Sequence, residues 1–364
     1  MKVSEIISVL EEFASPSLQE SYDNSGLIVG NKDQEVTKVL ISLDCIESVV
    51  EEAIKNKANL IVSHHPILFK GIKQLNGKNY VERTILKAIK NDIALYAIHT
   101  NLDNVFEGVN FKIAEKLGLK NCRSLRLKEN NLAKLSTFVP IEHKSEVVKA
   151  IYAAGAGKIG NYSECSFSTE GIGTFKALEN ALPFVGSKGV LHSEAEEKLE
   201  VIVPMHLKST VVNALLKAHP YEEVAYDLYP LLNSNPKIGS GYIGETEKNI
   251  PAKEFLQNLK NVFKCEVIKH TKLVKKNITK VALCGGSGSF LLADAKRAGA
   301  DIFISADFKY HEFFDAENDL IIADIGHYES EQYTIDHIHG ILKQKFPNFA
   351  LLKSGVSTNP VKYL

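Results

Sequence analysis

The sequence predicts an α/β protein whose core is a mixed, largely parallel, helix-covered sheet formed by both halves of the chain. Short aliphatic runs alternate with amphipathic segments of helical spacing up to about residue 126, and the same alternation returns at residue 236. Residues 127–235 follow another order of elements and are predicted to form an inserted α+β domain. A length of 364 residues is sufficient for two domains.

The composition is that of a globular protein, with 45% hydrophobic residues, 24% charged residues and a net charge of -1. This balance makes a nucleic-acid partner unexpected, and no apolar run approaches the roughly 18 residues of a membrane span. The five cysteines are scattered and include no Cys-x-x-Cys pair, which favours a reducing compartment and argues against a thiolate metal site. Because the N-terminal segment also lacks the apolar region of a signal peptide, we expect a cytoplasmic location.

In the first half, apolar positions at helical spacing predict a helix over residues 3–14, which stops before Ser15-Pro16. Residues 38–44 and 59–63 are apolar runs typical of buried strands, and residues 46–57 between them have a helical pattern. A strand, a helix and a strand of these lengths form a βαβ unit, so the two strands are predicted to be parallel.

Two adjacent histidines, His64 and His65, directly follow the strand at 59–63. Parallel sheets carry their chemistry at the carboxyl ends of strands, and imidazole is the commonest metal ligand. Because neighbouring side chains diverge as they leave a strand, the pair is better suited to two neighbouring ions than to chelating one. A turn that merely contains two histidines is the alternative.

Further strands end in similar clusters. The strand at 93–98 leads to His99 and Asp103, although Asp103 could simply cap the helix that follows. Strands at 301–305 and 320–325 lead to Asp307 and His311, and to His327 and Glu331. His327 and Glu331 stand four residues apart on a helix predicted to run to about 344, so they share one face and could hold an ion or form a surface pair.

Between the two halves, the pattern predicts strands at 133–139, 164–169, 171–175, 197–203 and 224–229, with helices at 145–154 and 207–218. Without the extra strand this is a βαββαβ order, the ferredoxin-like arrangement. The histidines of this segment have no partner at chelating spacing and are expected to be structural or on the surface.

Together, the clusters at 64–65, 99–103 and 327–331 offer three or four imidazoles and two carboxylates without sulfur, a set that suits zinc, manganese or iron(II). Five or six ligands are more than one tetrahedral zinc uses. The sequence therefore favours two divalent ions that share a bridging group.

The clusters also carry a resemblance to a known family. Asp23-Asn-Ser-Gly26, Ser63-His-His-Pro66, His99-Thr-Asn-Leu-Asp103 and Gly326-His-Tyr-Glu-Ser-Glu331 resemble motifs of the NIF-three-like dinuclear-metal family, often labelled GTP cyclohydrolase type I, type 2 homologue. The resemblance implies that the metal ligands are His64, His65, Asp103, His327 and Glu331. His99, Asp307 and His311 would then face the substrate or support the ligands.

The resemblance also implies an assembly. Members of this family form toroidal homohexamers, trimers of dimers, and residues 127–235 resemble the CutA/PII-like domain inserted in longer bacterial members. Relatives of that domain bind small ligands, so the resemblance also implies a sensing role for the insertion.

The resulting expectation is a metal-dependent hydrolase of an unknown small molecule, in which a metal-activated water is the nucleophile and His99 or His311 moves the proton. The alternative is a regulatory or scaffold hexamer without catalysis, whose inserted domain senses a ligand. A DNA-binding ring is disfavoured by the lack of positive charge.

Overall fold

The structure is a computed structural model that describes residues 1–364. It divides into two compact units, the first formed by residues 1–127 and 236–364 and the second by residues 128–235. No helix of the chain combines the length and the apolar character needed to cross a membrane.

The N-terminal part of the first unit alternates helices and short strands. Its elements are α1 (Val3–Phe13), β1 (Gly26–Val29), β2 (Val39–Ser42), α2 (Glu47–Asn56), β3 (Leu60–Ser63), α3 (Tyr80–Lys90), β4 (Ala94–Ala97), α4 (Thr100–Asp103), α5 (Val109–Lys116) and β5 (Lys120–Leu127). Every residue of β2, β3 and β4 is buried, as expected for parallel strands covered on both faces.

The second unit has a βαββαβ order. Its elements are β6 (Leu132–Pro140), α6 (Lys144–Ala153), β7 (Ser166–Lys176), β8 (Leu191–Pro204), α7 (Lys208–Ala218) and β9 (Tyr226–Pro230). They form an antiparallel sheet of order β7-β8-β6-β9. The two strands expected at 164–169 and 171–175 are one continuous strand, because Gly171 takes part in the ladder opposite Glu196 instead of forming a turn.

The remaining elements complete the first unit. They are β10 (Gly239–Pro251), α8 (Ala252–Phe263), β11 (Lys269–His270), β12 (Asn277–Ser287), α9 (Leu292–Arg297), β13 (Ile302–Ala306), β14 (Ile321–Asp324), α10 (His327–Glu331), α11 (Thr334–Lys345) and β15 (Leu351–Lys353). The single helix expected from 327 to 344 is divided into α10 and α11. The break separates a segment that buries polar side chains from one that buries Ile338 and Leu342 in the core.

The first unit contains two sheets, so the expectation of one sheet shared by both halves is wrong. One has the order β1-β4-β3-β2-β15 and is parallel except for β1, and the other has the order β11-β14-β13-β12-β10-β5 and is mixed. Each sheet has one edge strand from the other half of the chain, β15 in the first sheet and β5 in the second. Side chains of both sheets meet in one core, which includes Val62 and Ile304.

Candidate metal centre

The carboxyl ends of strands from both sheets open into one cavity of about 740 Å³. In the first sheet, β2, β3 and β4 are in register, with Ser42 opposite Ser63 and Ser63 opposite Ala97, so these strands end at the same level. In the second sheet, β13 and β14 end at the same cavity. His65, His99, Asp103, Asp307, His327 and Glu331 line it.

Glu331 lies at the centre of the cluster and is 3% exposed. Its Oε2 lies 3.0 Å from His65 Nε2 and 3.1 Å from His327 Nε2. Its Oε1 lies 3.9 Å from His64 Nε2, which in turn lies 3.7 Å from Asp103 Oδ1. The two oxygens of one carboxylate therefore face two different groups of ligand atoms.

Three buried atoms of this cluster have no hydrogen-bond partner: His64 Nε2, Asp103 Oδ1 and Glu331 Oε2. The short contacts of Glu331 Oε2 with the imidazoles lack the geometry of hydrogen bonds, although charge attraction between these groups remains strong. Buried polar atoms without partners are costly, and a cation between them would satisfy their lone pairs. The donor set thus fits divalent metal ions.

The imidazoles are held so that Nε2 is the nitrogen that faces the cluster. In each ring Nδ1 contacts an oxygen at hydrogen-bond distance: His64 with the Ile98 carbonyl at 2.8 Å, His65 with Asp44 at 2.8 Å, His99 with Asp23 at 2.7 Å and His327 with Asp307 at 2.6 Å. Such contacts fix the orientation and the tautomer of metal-binding histidines.

The pKa values of three groups in the cluster are raised by their surroundings. Burial and the nearby Glu331 carboxylate raise the pKa of Asp103 to about 7. The same carboxylate, together with Asp307, raises the pKa of His327 to about 11. Burial lowers the pKa of His65, but its hydrogen bond with Asp44 and the charges of the Glu331 and Asp44 carboxylates prevail and raise it to about 9. A metal ion must therefore compete with protons for the His65 and His327 imidazoles.

Gly286 provides the space that Glu331 occupies. A Cβ atom at this position would lie 2.4 Å from Glu331 Oε1 and 3.2 Å from the His327 ring, and the residue has a φ of +59°. Both features exclude a side chain here. The Gly285-Gly286 pair lies within β12 and allows α10 to approach closely.

The two residues proposed to move a proton lie in different surroundings. The His99 ring is 5.3 Å from each of the rings of His64 and His65, and His99 lines the cavity. His311 lies on the exposed 3-10 helix Tyr310–Ala316, packs against Tyr310 and Phe314, and does not line the cavity.

The site includes two aspartates that the sequence reasoning did not assign. Asp44 directly follows the apolar run that forms β2, so the same rule about strand ends could have found it. Asp23 accepts hydrogen bonds from the backbone and hydroxyl of Thr100 in addition to its contact with His99. Burial opposes ionisation of Asp23, but these bonds outweigh it and hold its pKa well below the ordinary value.

Known proteins match this chain over its whole length. The profile of the Duf34/NIF3 family (NGG1p interacting factor 3) matches residues 1–360. A "GTP cyclohydrolase 1 type 2 homolog" of Halalkalibacterium halodurans is 39% identical, covering 99% of this chain and 98% of the relative, and one of Bacillus subtilis is 36% identical with the same coverage. A solved Bacillus cereus protein related to NIF3 is 37% identical, with a TM-score of 0.87 over 100% of this chain and 99% of that one. The chain belongs to the Duf34/NIF3 family.

Proposed function

We propose that the chain is a hydrolase that depends on a pair of divalent metal ions. The observation that carries this proposal is the position of Glu331, which presents one carboxylate oxygen to His64 and Asp103 and the other to His65 and His327. A carboxylate that faces two donor groups is suited to bridging two ions. Zinc is the preferred identity, with iron or manganese as alternatives, because the donors are nitrogen and oxygen only.

Each proposed ion has its own protein donors. His64, Asp103 and Glu331 Oε1 would hold one, and His65, His327 and Glu331 Oε2 would hold the other. When bound, such ions lower the pKa of a water molecule towards neutrality and polarise a carbonyl or phosphoryl oxygen of the substrate.

His99 is the residue of this chain that we assign to proton transfer. It lines the cavity, and its Nδ1 is held by Asp23 at 2.7 Å. Its Nε2 therefore faces the cluster and can hold the proton that leaves the attacking water or passes to the leaving group. His311 does not share this placement, so we assign it no proton-transfer role.

The substrate is proposed only as a class, namely a small molecule with a hydrolysable carbonyl or phosphoryl group. The relatives are named as homologues of a GTP cyclohydrolase, and that name alone does not extend to a substrate of this chain. A cavity of about 740 Å³ is large enough for a nucleotide-sized or smaller ligand.

The experiment is a turnover screen with zinc-, iron- and manganese-loaded protein against nucleotides, phosphodiesters and cyclic amides. We expect at least one class to be hydrolysed, Asp103→Ala to abolish the activity, and His99→Gln to lose it while keeping the bound metal. His339→Gln on α11 is the matched control, because His339 does not line the cavity. Turnover that is unchanged in Asp103→Ala would refute the proposal.

A regulatory or scaffold role is the second candidate. The metal donors come from both sheets, since His64 and His65 follow a strand of one sheet and His327 follows a strand of the other. Bound ions would therefore link the two sheets, which favours a structural role. We propose a homohexamer, a trimer of dimers, for either function. If a chelator dissociates the hexamer in sedimentation experiments and no substrate is ever turned over, the scaffold role replaces the hydrolase.

A further inference from the structure

The second unit contains a cavity of its own, with a volume of about 1120 Å³. Leu199 and Val201 of β8 pack under helices α6 and α7 in the core of this unit. Glu196 and Lys198 alternate with them along the same strand and line the cavity instead. Because successive side chains of a strand point to opposite faces, the cavity lies on the face of the sheet that carries no helix.

Aromatic rings form much of the wall of this cavity. Phe138 of β6, Phe175 near the end of β7, Phe184 and Tyr221 all line it. The centroid of the Tyr221 ring lies 6.3 Å from that of Phe175 and 6.3 Å from that of Phe184. Aromatic side chains at the wall of a cavity offer a ligand apolar contact and, at the ring face, the negative side of the ring quadrupole.

A buried carboxylate without a cationic partner lies beside these rings. Glu196 is 8% exposed, and its Oε1 accepts a hydrogen bond from the hydroxyl of Tyr221 at 2.8 Å. No lysine, arginine or histidine forms an ion pair with it. The nearby His219 interacts with its charge, but burial keeps the pKa of that imidazole below its ordinary value, so it supplies no counter-charge. The neighbouring Glu197, by contrast, is paired with Lys144 at 2.5 Å. A carboxylate removed from water without a counter-charge destabilises a protein, unless a ligand supplies that charge.

Strand β7, which pairs with the strand of Glu196, has two glycines that leave space beside this carboxylate. A Cβ atom on Gly173 would lie 2.1 Å from Glu196 Oε2. Gly171, the ladder partner of Glu196, also carries no side chain into the cavity. The charged side chains of the lining are mainly acidic, since Glu170, Glu196, Glu222 and Glu223 outnumber Lys176 and Lys198. Lys198 is itself paired with Glu200 at 3.1 Å.

We propose that this cavity binds a small organic ammonium ion. Glu196 is the counter-charge, and the rings of Phe175, Phe184 and Tyr221 contact the cation and its apolar groups through cation–π attraction and burial. An anion would meet an unpaired carboxylate, and a neutral apolar molecule would leave Glu196 uncompensated. This site is independent of the metal centre in the first unit.

Isothermal titration calorimetry on the full chain tests the proposal, with choline and propylammonium as probes at constant ionic strength. The neutral isostere of choline, 3,3-dimethylbutan-1-ol, separates charge recognition from apolar burial. We expect saturable binding of at least one cation, and binding of the alcohol that is weaker by about tenfold or more. Glu196→Gln keeps the size of the side chain and is expected to weaken cation binding by about tenfold or more.

Glu197→Gln is the matched control, because it removes the same charge one residue away and should leave the cation affinity unchanged. The proposal is overturned if neither cation binds up to about 10 mM, or if the two variants weaken binding equally. A chain that self-associates through this face, so that Ile172→Asp dissociates it while no cation binds, would assign the face to a second copy of the chain and overturn the proposal as well. Thermal unfolding of each variant verifies that it is folded.

Discussion

Asp44 holds His65 and the C-terminal segment at the same time. Its Oδ1 lies 2.8 Å from His65 Nδ1, and its Oδ2 accepts a hydrogen bond from the hydroxyl of Thr358. Burial opposes ionisation of Asp44, but the bond to His65 outweighs it and keeps the pKa below its ordinary value. An ionised Asp44 fixes the His65 ring with Nε2 towards Glu331.

Removing the charge of Asp44 should therefore weaken metal binding. We expect Asp44→Asn to lower the affinity for zinc by about 10- to 100-fold, because the His65 ring loses its orienting partner. Competition with a chromophoric chelator measures the affinity. Thr358→Val, which leaves the contact of Asp44 with His65 intact, should have a smaller effect, and equal effects of both variants would show that Asp44 does not act through His65.

Metal binding should release protons. In the protein without metal, His65 and His327 have pKa values of about 9 and about 11, so both imidazoles are protonated at pH 8 and must lose a proton before Nε2 can bind an ion. The apparent affinity should rise as the pH approaches 9 and fall as the medium becomes more acidic. Calorimetric titration with zinc in buffers of different ionisation enthalpy measures the protons released, and a heat independent of the buffer would contradict the expectation.

Gly286→Ala should prevent the metal centre from forming. The new Cβ would lie 2.4 Å from Glu331 Oε1, and the φ of +59° adds roughly 1 kcal/mol of backbone strain. Gly299→Ala is the matched control, because Gly299 also has a positive φ, +71°, but has no atom within 4 Å of the added Cβ. Metal content per chain after purification should be normal in Gly299→Ala and low in Gly286→Ala. Equal contents would show that the close approach at Gly286 is unimportant.

His337 should make stability depend on pH independently of the metal centre. It is 8% exposed, its Nε2 lies 2.6 Å from the Glu107 carbonyl, and burial lowers its pKa to about 4. Between about pH 6.5 and pH 4 the unfolded chain takes up a proton that the folded chain resists. The stability contributed by neutral His337 is therefore complete above pH 6.5 and is lost as the pH falls, by about 3 kcal/mol at most.

Urea unfolding in the presence of a chelator at pH 7.5 and 4.5 measures this effect. His337→Gln can still donate to the carbonyl but cannot take up the proton, so its free energy of unfolding should fall less than that of the unchanged chain. The same decrease in both proteins would exclude His337 as the cause.

The ends of the strands could be predicted from the sequence, because each strand is a short apolar run that stops at a polar residue. Apolar runs such as residues 60–63 are buried on both faces, and the ligand-bearing residues follow them directly, so the cluster could be anticipated without knowing how the sheets pair. Sheet pairing was not encoded in this way. The return of β15 to the N-terminal sheet and of β5 to the C-terminal one depends on contacts between residues far apart in the chain.

The hydrogen-bond partners of the metal-binding histidines could not be predicted from the sequence. Asp44 and Asp307 are ordinary acidic residues at strand ends, and only the folded chain shows that each faces the Nδ1 of a histidine. His311, in contrast, was expected near the site but lies outside it. It follows a strand end in the same way, yet the 3-10 helix Tyr310–Ala316 leaves it on the surface beside Phe314. A strand end predicts the location of a residue, whereas the loop that follows determines where its side chain points.

The anomalous scattering of zinc in crystals of the metal-loaded protein would locate the two proposed ions. We expect two peaks per chain, one between His64, Asp103 and Glu331 and the other between His65, His327 and Glu331. A single peak at this cluster, or peaks only elsewhere on the chain, would contradict it.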